Sequence, residues 1–308
     1  MRNNTADRMT PVFRLYFTQL RQVKALQSLI KQKGSCNIER IYVNSDLFLS
    51  DFEQMMDSCV FIRELLPNVT FWLALPPVLR NNDLDYLSKI TDILGNSMFS
   101  GILCGNLEGI GYFSKTDSTS CQIVADHHFY LWNRDAIKAF DGRLKGACLP
   151  LELRSGEQKA LLRSCESMQN LRIKSKTDDG EVFGWDKIIY GRIPFMFTAN
   201  CVAKTGDQCR KNQGEDQKIA SLKDRTGTDL PVLINCRHCF NIIYNSVPLS
   251  LHNEIQAWSE LAAIRLNFTT ESFEDTKSIA NWFLYEDCEA TGMPFKSYTK
   301  GNEKRGVL

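Results

Sequence analysis

Residues 12–33 read VFRLYFTQLRQVKALQSLIKQK, and Gly34 follows them. The first six, VFRLYF (12–17), are dominated by aromatic and branched side chains, which predicts a strand. From Gln19 to Lys33 the apolar residues Leu20, Val23, Leu26, Leu29 and Ile30 recur at helical spacing, and Gly34 is a stop signal. Together they form one βα unit, and the unit repeats along the chain. RIYVNS opens a second one, with a helix start at Ser50-Asp51-Phe52-Glu53; TFWLALP (70–76) opens a third, followed by LDYLSKITDILG. GILCGN (101–106), CQIVAD (121–126) and KGACLPLEL (145–153) are further strands, each leading into a helical segment. After a polar interval the pattern returns: HNEIQAWSEL reads as helix, AIRLNF (263–268) as strand and ESFEDTKSIANWFLYED as helix.

These strands are nearly continuous apolar runs, as expected when helices cover the sheet. Repeated βα units give a parallel sheet, either open and doubly wound or closed. Strands near 12, 40, 70, 101, 121, 145, 187–198 and 263 supply the eight that close a barrel. The expected fold is therefore α/β, a TIM-barrel-like domain with a cysteine-rich insertion near its C-terminal third. Residues 1–198 and 251–308 form the two parts of the barrel, and 199–250 interrupts them.

The totals are those of an ordinary globular chain. Its 308 residues are 43% hydrophobic and 24% charged, which excludes a fibre or a disordered polymer. A formal net charge of +1 gives no global attraction to nucleic acid. The opening MRNNTADRMTPVFRLYF lacks the apolar core and cleavage site of a secretory signal, and no apolar run reaches the roughly 20 residues that span a bilayer. A cytoplasmic location without a membrane partner is expected. In that reducing compartment the 11 cysteines are not a disulfide framework. Cys36, Cys59, Cys104, Cys121, Cys148, Cys165 and Cys288 are scattered singly and read as small core residues.

The other four cluster in polar sequence. Cys201, Cys209, Cys236 and Cys239 are separated by seven, twenty-six and two residues, within a stretch too long and polar for an ordinary loop. A Cys-x-x-Cys pair can place two thiolates on one metal centre, and an upstream pair completes a four-thiolate shell. Zinc prefers two short knuckles, and only Cys236-Arg237-His238-Cys239 has that form. An iron–sulfur cubane accepts irregular spacing because its four corners lie further apart. The spacing thus favours a 4Fe-4S cluster, with zinc as the alternative. His238 is either an alternate ligand or a neighbour pointing the other way.

Elsewhere, Asp126-His127-His128 follows a predicted strand, where barrel enzymes place their sites, and Glu152 with Arg154 ends the next one. Asp126, His127 and Glu152 are the candidate catalytic set. GNLEGIG (105–111) is glycine-rich without the order of a phosphate loop. No Ser/His/Asp or metalloprotease motif assembles. Lys204, Arg210, Lys211, Arg225 and Arg237 would form a basic surface beside the cysteines if RNA is a partner; solvated charges offset by Asp207, Glu215, Asp216 and Asp224 are the equal alternative. The basic tail Lys296, Lys300, Lys304 and Arg305 reads as a solvated terminal segment.

YGRIPFMFTANCVAKTGDQC, KDRTGTDLPVLINCRHCFNIIYNSVPLSL, IRLNFTTES and YTKGNEKRGV resemble the collagenase-like peptidase family U32, in blocks spanning roughly 187–308. Weaker matches at ADHHFYLWN, through Asp126 and Asn133, and at LPLELRSGE, through Glu152, extend the resemblance over most of the chain. It implies a barrel, a 4Fe-4S cluster on Cys201, Cys209, Cys236 and Cys239, and the chemistry of relatives that hydroxylate an RNA pyrimidine or a small aromatic without molecular oxygen. Prephenate is the oxygen donor linked to some of those relatives. The family label itself implies a peptidase or protease, a hydrolase, as the alternative; a non-catalytic subunit with a structural metal centre is a third. The opening VFRLYFTQLRQVKAL looks like the start of the second barrel in duplicated members, which implies a second barrel as a partner.

Overall fold

The computed structural model describes residues 11–115, 121–140, 142–166, 183–205, 209, 217–258, 261–286, 288 and 291–305. Seven strands and their helices come first: β1 (Phe13–Phe17), β2 (Ile38–Asn44), β3 (Thr70–Ala74), β4 (Phe99–Cys104), β5 (Gln122–Ala125), β6 (Gly146–Cys148) and β7 (Gly184–Gly191). Five strands follow outside the repeat: β8 (Pro194–Thr198), β9 (Gln217–Lys223), β10 (Asp229–Asn235), β11 (Phe240–Tyr244) and the short β12 (Leu249–Ser250). The last, β13 (Ala263–Phe268), coincides with the predicted strand.

Strands β1 to β7 and β13 pair in parallel and close on themselves, because β6 pairs β7 and β7 pairs β13. The result is an eight-stranded parallel barrel ringed by helices. Around it lie α1 (Leu20–Lys33), α2 (Asp46–Ser50), α3 (Phe52–Leu65), α4 (Leu84–Leu94), α5 (Leu107–Phe113), α6 (Arg134–Lys138), α7 (Ser155–Glu166), and α9 (Phe273–Tyr285), with α8 (Val202–Thr205) outside the ring sequence. Local signals set the boundaries. Gly34, at φ 88°, ends α1, and its N–H returns to the Ile30 carbonyl. Asp51 and Asn106 cap α3 and α5 by accepting from the N–H of Gln54 and Gly109. Asn133, one of the family-like positions, does the same for α6.

Two apolar layers hold the barrel. The outer one lies between strands and helices and includes Leu15, Phe17, Val43, Leu73 and Ile102 with Leu26, Ile62 and Ile90. Phe17 stacks on Phe268 across neighbouring strands at 5.3 Å. The inner one is small: Tyr42, Trp72, Ala74, Leu103 and Val124 fill the barrel's interior. Trp72 fits there only because Gly101 faces it; a Cβ at Gly101 would stand 2.6 Å from the indole and 2.1 Å from the Gln122 carbonyl oxygen.

The single strand expected over 187–198 is divided. Gly191, at φ 149°, packs where a Cβ would stand 2.7 Å from Asn267, and it ends β7 before Arg192 and Ile193 lead out into β8. The polar segment beyond, read as largely irregular, is an antiparallel sheet in the order β8-β11-β10-β9. HNEIQAWSEL is a 3-10 helix over His252–Trp258. Of the scattered cysteines, Cys59, Cys104, Cys148 and Cys165 are buried, while Cys36, Cys121 and Cys288 are half-buried. No described helix is long and apolar enough to cross a membrane.

Candidate functional site

The interior of the barrel carries a line of charge running from its N-terminal to its C-terminal end. Glu39 pairs with Arg14 at 3.0 Å and with Arg40 at 3.6 Å. Arg14 reaches Asp186 at 3.3 Å, Arg265 lies 3.8 Å from the other oxygen of Asp186, and Arg265 Nη2 bonds Asp126 Oδ1. Three guanidinium groups thus face three carboxylates, and Arg14, Asp186 and Arg265 are almost wholly buried. Burial disfavours the charge on Arg265, but Asp126 and Asp186 outweigh it and raise its pKa further. Burial alone would raise the Asp126 carboxyl; Arg265 and the two adjacent imidazoles hold it well below the usual carboxylate range.

Asp126 stands just past the end of β5, at the C-terminal mouth of the barrel. Its Oδ1 accepts from the His127 N–H at 2.8 Å and meets His127 Nδ1 at 3.0 Å. Since the carboxylate is ionised, that ring nitrogen donates, which leaves the other for proton exchange. His128 Nδ1 lies 3.5 Å from Asp126 Oδ2 without hydrogen-bond geometry, and neither ring nitrogen of His128 has a hydrogen-bond partner. Burial pushes the His128 imidazole down to about 4, so it is neutral at physiological pH. Its ring occupies the space beside Gly105, where a Cβ would come within 1.8 Å of Nε2. The glycine-rich GNLEGIG thus has a structural use: it makes room for this histidine.

Asp126, His127 and His128 line a cavity of about 550 Å³, open mouth included. Tyr16 and Asn267 contribute from the barrel, while Phe197 on β8 and Ile242 and Tyr244 on β11 cover it from the small sheet. Arg192 also faces it, with two carbonyls, of Asn245 and Ser246, accepting from its Nη1 at 3.1 and 2.6 Å. Asn267 Oδ1 and Thr269 Oγ1 are buried there without a hydrogen-bond partner, so the walls are apolar with unsatisfied polar points. Glu152 lies in the turn after β6, off the cavity wall; its Oε2 is buried without a partner, and its charge raises the phenol of Tyr130, after burial, above its ordinary value. Of the candidate catalytic set, the structure brings Asp126 and His127 together and leaves Glu152 apart.

The small sheet presents the cysteines at one end. Thr198, closing β8, pairs with Asn241 near the start of β11, and Asn235, closing β10, pairs with Phe240 and with Gln217 of β9. Cys201 follows β8, and Cys236 and Cys239 occupy the β10–β11 turn, so these three belong to the same end. Asn241 Nδ2 donates to the Asn200 carbonyl at 2.6 Å and ties that end together. Cys239 adopts a left-handed φ of 51°, which turns the knuckle sharply. Cys209 is exposed beyond α8, as is Cys239, whereas Cys201 and Cys236 are half-buried. None of the described cysteines is in a disulfide.

His238, inside the knuckle, points away from the sulfurs. Its Nε2 and Nδ1 meet Asp46 Oδ1 and Asp83 Oδ1, each at 3.0 Å, so both ring nitrogens are engaged by carboxylates and neither is offered to a metal. Burial opposes its charge, yet Asp46 and then Asp83 raise its pKa. Burial would raise Asp46 as well, but His238, Asn235 and Arg237 lower it. Asp46 and Asp83 follow β2 and β3, and Arg80 also donates to the carbonyls of His238 and Cys239. The cysteine-bearing end is therefore fastened to the same barrel face that carries the cavity. Asp46, Arg265 and Asp186 were not readable as site residues, since an isolated charge in an apolar strand or helix start gives no sign of its partner.

Of the five basic residues, the three that are described do not form one surface. Lys204 is exposed at the cysteine end, Arg225 is exposed on the β9–β10 turn at the opposite end, and Arg237 leans on Asp46 at 3.9 Å and Ser50 at 3.4 Å. Arg210 and Lys211 lie outside the described residues, as do Asp207, Glu215 and Asp216. In the tail, Lys300 pairs with Glu254 at 3.1 Å.

The four-thiolate proposal meets a geometric test here. One zinc ion needs its ligand atoms about 3.4 Å apart, from metal–ligand distances near 2.1 Å and wider for sulfur. Among the described residues, the group whose ligand atoms all lie within 4.8 Å is Asp126, His127 and His128, and the cysteines form no such group. No family model matches this chain, and no curated protein is found similar to it.

Proposed function

We infer that the chain is an enzyme of the U32 type, a cluster-dependent hydroxylase that works without molecular oxygen on an RNA pyrimidine or a small aromatic. The observation that carries this reading is the docking of a cysteine-bearing sheet end, through His238, onto the barrel face that holds the cavity. Cys201, Cys236 and Cys239, with Cys209, would hold a 4Fe-4S centre, which when bound supplies one-electron transfer. The chain's own residues would do the rest. Phe197, Tyr16 and Tyr244 offer aromatic walls to a planar ring, and Asn267, Thr269 and Arg192 offer polar contacts to its substituents. His127, held by Asp126, can move a proton at its second ring nitrogen.

The test is anaerobic purification of the full chain with iron and acid-labile sulfide analysis, alongside nucleoside mass spectrometry of transfer and ribosomal RNA from a deletion strain. Iron and sulfide near four per chain, and a hydroxylated pyrimidine absent from the deletion strain, are expected. A colourless protein without iron rejects the reading. Hydrolysis is the second reading, favoured by the Asp126–His127 pair at 3.0 Å, which resembles a base with its orienting carboxylate. Cleavage of denatured collagen that survives Cys→Ser replacement at all four positions would favour it.

A further inference from the structure

The feature of the cavity that neither the cluster nor the proton relay uses is His128. Its imidazole is buried with both nitrogens lacking hydrogen-bond partners, 3.5 Å from Asp126 Oδ2, the carboxylate oxygen that the Arg265 and His127 bonds do not reach. A buried polar group without a partner is costly, and native proteins retain one mainly where something else satisfies it. We propose that Asp126, His127 and His128 form a binding site for one divalent transition-metal ion, separate from the cysteines, in which His127 serves as a ligand in place of the proton relay.

The geometry fits such an ion. Ligand atoms from the three residues lie within 4.8 Å of one another. Asp126 Oδ2 and His128 Nδ1 are 3.5 Å apart, and atoms bound to one ion at about 2.1 Å stand about 3.0–3.4 Å from each other. The two carboxylate oxygens have different duties. Oδ1 is occupied by Arg265 Nη2, the His127 N–H and His127 Nδ1, while none of those contacts reaches Oδ2. Arg265 therefore orients the carboxylate from below rather than competing for the oxygen that faces His128, the part an outer-shell residue takes in metal sites.

Two imidazoles and one carboxylate favour zinc, iron, cobalt or nickel over calcium or magnesium, which prefer all-oxygen shells. Three protein ligands also leave positions open toward the cavity, the mark of a site that takes a further ligand. Gly105 belongs to the device. With any side chain there, the His128 ring could not stand where Nδ1 faces Oδ2.

Cobalt(II) is the probe, added under reducing conditions to the full chain after removal of bound metals. Cobalt on nitrogen and oxygen ligands gives visible d–d bands alone, whereas cobalt on cysteine adds a sulfur-to-metal charge-transfer band in the near ultraviolet. A species with d–d bands and no charge transfer is expected in the unaltered chain. His128→Gln should weaken that species more than about 100-fold, beyond the 10–100-fold of an outer-shell change. Gly105→Ala, which keeps all three ligands, should weaken it by displacing the ring. The proposal is overturned if every cobalt band carries sulfur charge transfer, or if a folded His128→Gln chain binds cobalt as the unaltered chain does. The first outcome is read on the unaltered chain and does not depend on a variant folding. Because the readout separates sulfur from nitrogen ligands, failure of the cluster assignment leaves this test intact.

Discussion

The barrel and the small antiparallel sheet solve the problem of burying polar groups in opposite ways. The barrel surrounds its charges with its own strands: Arg14, Asp186 and Arg265 lie inside a closed wall, each meeting an opposite charge. The small sheet has little interior. Its apolar core is Leu233, Phe240, Ile242 and Tyr244, β8 is half-buried or exposed along its length, and polar contacts centred on His238 and Asp46 fasten its cysteine end to the barrel. A closed wall needs no partner to keep its fold, whereas a four-stranded sheet with so small a core depends on what it docks against. The cavity lies where the two meet, so its stability depends on both.

Three substitutions probe that contrast. Arg265→Leu should have the largest effect, because it leaves Asp126 and Asp186 buried with one cation fewer. Removing one partner of a buried ionic network costs about 3–5 kcal/mol, and urea unfolding of the whole chain should show the loss. If the chain loses less than 1 kcal/mol, on the order of a surface pair, the charge line is not what secures the interior.

His238→Ala should come next and should act locally. Asp46 keeps Asn235 at 2.7 Å and Gln217 at 3.3 Å, so the loss is about 1.5–3 kcal/mol for a hydrogen bond to a charged group. Amide exchange should quicken across β8–β11 while the strands of the barrel stay protected. Equal quickening in both regions would mean that sheet and barrel unfold as one unit, and the contrast drawn here would be lost.

The smallest effect concerns the rim of the barrel. Glu271 is buried, and burial raises its carboxyl above the ordinary 4.5 while Thr269 N and Tyr190 OH donate to it at 2.5 and 3.1 Å. The folded chain then holds that proton more tightly than the unfolded one. Stability should be full below about pH 4.5 for this group and decline as pH rises through the raised folded value. Glu271→Gln should remove that decline, seen by comparing urea midpoints across acid and neutral pH. A decline that persists unchanged in the variant assigns it to another group.

Much of the barrel was legible because its signals are local. Each βα unit shows an apolar run and then a helical period, and all eight barrel strands fall where those runs predict. Gly34 and Asp51 mark helix ends through chemistry confined to a few residues. The position of Asp126 and His127 at a strand end was legible for the same reason. The segment from 194 to 244 was not, since its strands are short, one-sided and broken by polar residues, and their pairing is nonlocal. Gly191 also concealed a boundary, because the need for it arises from Asn267, far away in sequence. Where Glu152 lies relative to the cavity was not legible either: a place after a strand does not say which way the turn carries it.

The order of residues alone settled the number of βα units, the gathering of four cysteines in one polar excursion, and the mouth of the barrel as the place for Asp126 and His127. Those features depend on spacing along the chain, which a sequence displays directly. Tertiary structure decided which charges meet, that His238 bonds Asp46 and Asp83, and that both ring nitrogens of His128 are buried without a partner beside Asp126. Such facts depend on strands brought together from opposite ends of the chain, where Arg265 meets Asp126 across 139 positions. Electrostatic contacts fall off within a few ångströms in space and keep no fixed period along the sequence, so folding alone reveals them.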